Sequence, residues 1–284
     1  MHQAEDVMHP PPGADLEAEY NNRARVPGHM AVMRAWADAA ADFRAPHPPE
    51  VIAYGSGERE AMDLFTPPGG RSGATVMFIH GGYWQALDRS WFSHLARGLN
   101  AHGVALAIPS YDLCPGVRIG DILEQMRAAC AVLHGRTSGR IIASGHSAGG
   151  HLSACLLATD WAGRGLPKAL VPAAYSISGL FDLKPLVPTS LNTALRLDAA
   201  EAEALSPVRW PAPADLVLDA VFGAAESEEF VRQSRMIAEV WGGAGVATRY
   251  EAIEAADHFT VLAPFADPAS PQVARLVELA MANG

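Results

Sequence analysis

The sequence predicts an α/β fold with a mainly parallel central sheet flanked by helices. Three observations carry this expectation. From Ala74 onward, short apolar runs alternate with longer amphipathic ones, the pattern of strands buried on both faces and joined by crossover helices. A chain of 284 residues with 49% hydrophobic and 18% charged residues suffices for one large core, because an α/β domain of this size buries roughly three quarters of its extended-chain surface. Finally, Gly145-His146-Ser147-Ala148-Gly149 stands directly between an apolar run and an amphipathic one, where a sharp strand-to-helix turn belongs.

Residues 1–13 end in Pro10-Pro11-Pro12-Gly13 and hold little to bury. They read as disordered, leaving 14–284 as a single domain. In the N-terminal segment 14–45, the spacing of Leu16, Tyr20, Met30, Met33, Trp36 and Phe43 suits two helices broken at Pro27-Gly28. The period then shortens, and Val51 and Ala53, then Met62, Leu64 and Phe65, predict a hairpin around Gly55-Ser56-Gly57. Strands follow at Thr75–Ile79, Val104–Ile108, Arg140–Ser144, Ala173–Ile177, Asp215–Phe222 and Val246–Ala252. Helices fall at Ser90–Ala101, Arg118–Gly135, Gly149–Asp160, Ser227–Trp241 and Pro271–Ala280. Residues 179–213 carry five prolines and break the alternation, so they read as a small cap-like insertion over the active-site end of the sheet.

Charge narrows the choice of partners. Twenty-one basic against 31 acidic residues give a net charge of −10, which disfavours nucleic acid and anionic membranes and leaves a small molecule as the expected partner. Self-association is left open. Cys114, Cys130 and Cys155 show no metal-ligand spacing, so neither a disulfide framework nor a metal site is expected. The acidic start lacks the basic and apolar regions of a signal peptide, and the longest uncharged stretch, Ile141–Thr159, is interrupted by Gly, Ser and His. A cytoplasmic protein is the expectation.

The chemistry rests on three segments. In a G-x-S-x-G elbow the serine is held exposed at the tip of the turn, so Ser147 is the expected nucleophile. His80-Gly81-Gly82-Tyr83-Trp84 follows another apolar strand. Glycines there let backbone N–H groups approach a developing oxyanion, and Gly81, Gly82 and Ala148 are the candidate donors. A serine hydroxyl needs a base, and His258, the last histidine of the chain, comes after the nucleophile as the order nucleophile, acid, histidine requires. His80 and His146 read as residues that shape their turns, and His94, His102 and His134 as surface residues. For the acid, Glu226 lies just beyond the Asp215–Phe222 strand and is preferred to Asp219 within it and to Asp257 beside the base. Glu228 and Glu229 read as solvated acids in a helix's first turn.

Taken together, the His80–Gln85 loop, the elbow, the Glu226–Ser234 segment and Asp257-His258-Phe259 resemble the arylformamidase (kynurenine formamidase) branch of the α/β-hydrolase superfamily, close to hormone-sensitive-lipase-like esterases. Tyr20-Asn21-Asn22-Arg23-Ala24 and the stretch from Tyr54 to Phe65 are similar to bacterial esterase-like members. The resemblance spans roughly residues 16 to 270 and implies an α/β-hydrolase fold. It also implies cleavage of N-formyl-L-kynurenine to L-kynurenine and formate, without cofactor or metal. Members more often carry Asp where Glu226 stands. The loop and elbow are shared with the wider esterase group, and only the Tyr-Trp-Gln continuation and the acid-helix segment point to the formamidase branch.

The expected reaction is attack by Ser147, with His258 moving the proton and Glu226 orienting the imidazole. A flat aryl leaving group calls for an aromatic wall. Tyr83 and Trp84 are the preferred candidates; Phe181, Trp210 and Phe259 are candidates too, but core packing is the stronger reading of each. A carboxylesterase using the same residues on small acyl esters is the alternative, and a non-catalytic binding module on the same fold is the second.

Overall fold

The computed structural model describes residues 7–70 and 73–282. Among the described residues eight strands form one sheet: β1 (Glu50–Ala53), β2 (Ala61–Phe65), β3 (Thr75–Ile79), β4 (Leu106–Pro109), β5 (Ile141–His146), β6 (Ala173–Ile177), β7 (Val217–Gly223) and β8 (Ala247–Ile253). Their order is β1-β2-β4-β3-β5-β6-β7-β8. The β1–β2 hairpin and the β2–β4 pair are antiparallel, and the other pairs are parallel. Every residue of β3, β5 and β6 is buried, which explains why these strands read as unbroken apolar runs.

Two apolar layers cover the sheet. On one face pack α5 (Ile119–Thr137), α6 (Ala148–Leu157) and α9 (Glu228–Gly242), with Leu123, Met126, Leu152, Phe230 and Trp241 among the buried residues. The other face is closed by α3 (His29–Arg44), α4 (Ala96–Asn100) and α10 (Pro271–Met281), through Trp36, Phe43, Leu99 and Leu276. Asp219, inside β7, is fully buried and pairs with Arg275 of α10 at 2.7 and 3.1 Å.

Three local expectations are corrected. The N-terminal segment holds three helices rather than two: α1 (Leu16–Tyr20), α2 (Asn22–Arg25) and α3. Asn21 ends the first and caps the second by accepting from the Ala24 N–H, so a side-chain cap makes a break where no proline or glycine stands. Arg89–Leu95 winds as a 3-10 helix ahead of α4. Its Ser, Trp, Phe and His residues have only middling α-helix propensity, and the burial of Phe92 and Leu95 decides the path. Of the segment expected to be disordered, residues 1–6 lie outside the described residues, while Val7 is buried and its carbonyl accepts from Arg232 at 3.0 Å.

Residues 179–213, between β6 and β7, form short turns plus α7 (Asn192–Leu195) and α8 (Ala199–Ala204). Among the described residues no helix is long and apolar enough to cross a membrane.

Candidate active site

The carboxyl ends of the parallel strands place the site. Ser147 follows β5 directly with φ 57° and ψ −116°, a backbone state that costs a non-glycine residue of order 1–3 kcal/mol and persists only where the surroundings enforce it. The enforcement is steric. A Cβ on Gly149 would lie 1.9 Å from the Ile79 carbonyl oxygen, and one on Gly145 would lie 2.3 Å from that of Gly149. Both positions must be bare for β3, the elbow and α6 to come together.

The loop after β3 closes over the elbow. A Cβ on Gly81 would meet the Cβ of Ser147 at 3.0 Å, and Gly82 has φ +101° with the Ala86 carbonyl in the way of any side chain. Among the described residues the N–H groups of Gly81, Gly82 and Ala148 have no acceptor, which leaves three donors beside the serine.

His258 and Glu226, expected as base and acid, are brought together, and His258 lines the same cavity as the serine. His258 Nδ1 stands 2.7 Å from Glu226 Oε2. A carboxylate only accepts, so Nδ1 is the donor of this bond. Glu226 comes three residues after β7, and its buried side chain also accepts from Ser178 Oγ at 2.5 Å and the Gly223 N–H at 2.6 Å. Ser178, which follows β6, has no motif of its own. Its Ser-Gly position at a strand's carboxyl end was the available signal. Asp257 is spent on its own turn, accepting from Phe259 N and Thr260 N at 2.8 and 2.9 Å.

His146 also touches the His258 loop. Its Nε2 lies 2.8 Å from the His258 carbonyl, so this nitrogen donates. Burial, then the neighbouring His258, hold the His146 pKa well below that of a free imidazole. The ring is a neutral strut under the His258 loop.

Ser147, His258, Gly82 and Tyr83 line one cavity of about 430 Å³, within the range of small-molecule sites. Its aromatic wall is Trp36, Tyr83 and Phe259, and its roof comes from α1, α2 and the 179–213 insertion through Tyr20, Asn22 and Leu191. Tyr83 donates to the Tyr20 carbonyl at 2.7 Å and accepts from Asn22 Nδ2 at 3.4 Å. Burial, with the charges of Glu226 and Glu17, pushes its phenol pKa well up, so it stays neutral.

Three expectations, for Trp84, His94 and Glu229, are corrected here. Trp84 does not line the cavity: it is fully buried, edge-on to His151 of α6, because Tyr83 and Trp84, both with positive φ, turn to opposite sides. Phe181 packs in the core, the stronger of its two readings, and Trp210 ties its indole to the Ala204 carbonyl; neither lines the cavity. His94 is buried rather than on the surface, and desolvation lowers its pKa to about 4. Glu229 is buried too, bridging Arg232 at 2.6 and 2.8 Å and the Tyr20 hydroxyl at 2.6 Å. Trp36 was missed, since it sits in an amphipathic helix far from every motif. Its place on the face of α3 that also carries Met33 was the signal available.

Among the described residues no group of three or more His, Cys, Asp or Glu side chains is placed to hold a metal ion.

Comparison with known proteins agrees with this architecture. The chain is 28% identical over 226 residues to the kynurenine formamidase of Danio rerio, covering 76% of each chain. A Silicibacter sp. protein named as a candidate thioesterase is 38% identical, with a TM-score of 0.81 over 92% of this chain and 98% of its own. The Pyrobaculum calidifontis esterase shares the fold, at a TM-score of 0.69 and 17% identity over 89% of this chain and 94% of its own. Residues 76–262 match the profile described as the alpha/beta hydrolase fold. The chain belongs to the α/β-hydrolase fold family.

Proposed function

We propose that this hydrolase cleaves an aryl formamide, N-formyl-L-kynurenine to L-kynurenine and formate, with Ser147 as nucleophile. The observation that carries this reading is the cavity itself, in which the elbow serine and the Glu226-paired histidine face a wall of Trp36, Tyr83 and Phe259. A flat aniline-type leaving group suits that wall. The formamidase relative covering three quarters of the chain supports the same substrate class.

In this mechanism His258 Nε2 takes the Ser147 proton as Oγ attacks the formyl carbon. The oxyanion accepts from the N–H groups of Gly81, Gly82 and Ala148, where one such donor is typically worth about 3 kcal/mol of barrier. Glu226 stabilises the imidazolium, which then protonates the departing arylamine. Water, deprotonated by His258, attacks the formyl-serine and releases formate.

The 38% identity to a candidate thioesterase favours a second reading, an ester or thioester hydrolase using the same residues. Side-by-side kcat/KM on N-formyl-L-kynurenine and p-nitrophenyl acetate, with Ser147→Ala as blank, separates the two. The formamidase reading expects more than about 10⁴ M⁻¹s⁻¹ on the formamide. Turnover of the ester alone replaces it with the second.

A further inference from the structure

The cavity lining carries two charged residues that the reaction chemistry does not use, Glu17 and Arg23. Arg23, on α2, is exposed and lines the cavity that holds Ser147 and His258. The other charged side chains between residues 15 and 25 each have a partner. Asp15 caps α1 through the Ala18 N–H. Glu17 accepts from the Ser190 N–H at 2.7 Å and its hydroxyl at 2.6 Å, and those bonds hold its pKa below the usual carboxylate value. Glu19 pairs with Arg25 at 3.4 Å and accepts from the Glu229 N–H at 3.1 Å. Arg23 alone among them has no hydrogen-bond or ion-pair partner among the described residues. A guanidinium is charged at every working pH and presents a planar fork that matches a carboxylate.

The backbone beneath Arg23 is fixed. Asn22 is buried and bonded to Tyr83, and Asn21 caps α2. The fork is therefore carried on a held corner of the lining of the cavity that also holds the serine. In the formamidase reading the acyl group is a single formyl, so a carboxylate that meets Arg23 belongs to the leaving group.

We propose that Arg23 is a specificity-determining residue that selects substrates bearing a free carboxylate on the leaving group, at the end remote from the scissile bond. The proposal deepens the formamidase reading and rests on the same site. It takes the amino-acid end of the leaving group as the feature that Arg23 recognises.

The test is the ratio of kcat/KM for N-formyl-L-kynurenine to that for its methyl ester, in the wild type, Arg23→Gln and Arg23→Lys. A charge-assisted pair is worth enough for the wild type to favour the free acid by roughly ten- to a hundredfold, mostly through KM. Arg23→Gln brings the ratio close to one, and Arg23→Lys restores part of it. A ratio that survives Arg23→Gln, with both rates falling together, assigns Arg23 a merely structural role and overturns the proposal. The same measurement on 3-(4-acetoxyphenyl)propanoate and its methyl ester separates the two levels. If the formamides are not hydrolysed while this acetate pair is, the formamidase reading fails, and the acetate ratio decides the Arg23 inference by the same criterion.

Discussion

At the residue scale, two carboxylates compete for one role, and their surroundings divide them. Glu226 reaches His258 at 2.7 Å, whereas Asp219, seven positions earlier, is bound on both oxygens by Arg275. Glu226→Gln should therefore lower kcat by about 10³- to 10⁴-fold with little effect on the melting curve, as when the orienting acid of a triad becomes an amide. Asp219→Asn should do the converse, leaving kcat within a few-fold while costing about 1–3 kcal/mol of stability, because it weakens a buried charge-assisted pair. Stopped-flow or steady-state rates beside urea unfolding of both variants decide it. A heavy rate loss in Asp219→Asn with none in Glu226→Gln would reassign the acid. The elbow, the glycine loop and the last histidine were legible in the sequence because each is a local run whose spacing is set by backbone sterics. Ser178, Trp36 and the strut His146 were not, since their contacts are made across strands and between faces.

Element by element, the strands and crossover helices were readable from hydrophobic period. Both-faces burial leaves no polar alternation in β3, β5 and β6; α9 and α10 each carry one apolar stripe, while α6 is buried along its whole length. The N-terminal helices were seen, but what they do was hidden, because it depends on a polar network. Tyr20 donates to Glu229 at 2.6 Å and accepts from Gln233 Nε2 at 3.0 Å, and Glu229 holds Arg232 in turn. This cluster fastens α1 to α9, and Tyr20 also receives the Tyr83 hydroxyl through its carbonyl. The roof of the cavity and the first turn of the helix behind Glu226 are thus one buried assembly. Glu229→Ala strands the Arg232 guanidinium without its carboxylate, and breaking such a pair typically costs about 3–5 kcal/mol. Chemical denaturation measures that loss, and a change below about 1 kcal/mol would show that the cluster is not what holds α1 in place.

For the whole molecule, the buried titratable groups set a pH window for stability. Desolvation lowers His80, His94 and His151 to about 4 and takes His146 well below its ordinary value. In the unfolded chain these rings titrate near pH 6.5. Above about 6.5 they are neutral in both states and contribute nothing to the pH dependence. Below it the unfolded chain binds protons that the folded chain refuses, so stability falls by up to roughly 1.4 kcal/mol per pH unit for each ring, until near pH 4 three of them charge within the fold. On the alkaline side burial raises Cys114 to about 11, and Cys130 and Cys155 further. The unfolded thiols then ionise first, and stability declines again above about pH 8.5. The expected profile is a plateau between about pH 6.5 and 8.5 with a steep acid limb. Urea unfolding at pH 7.5, 6, 5 and 4.5 at constant ionic strength measures it, and an unfolding free energy that stays level down to pH 4.5 would show that these rings take up protons inside the fold. Replacing His94 by Gln removes one refused proton from the balance, so the acid limb should become shallower by roughly one ring's share of the slope.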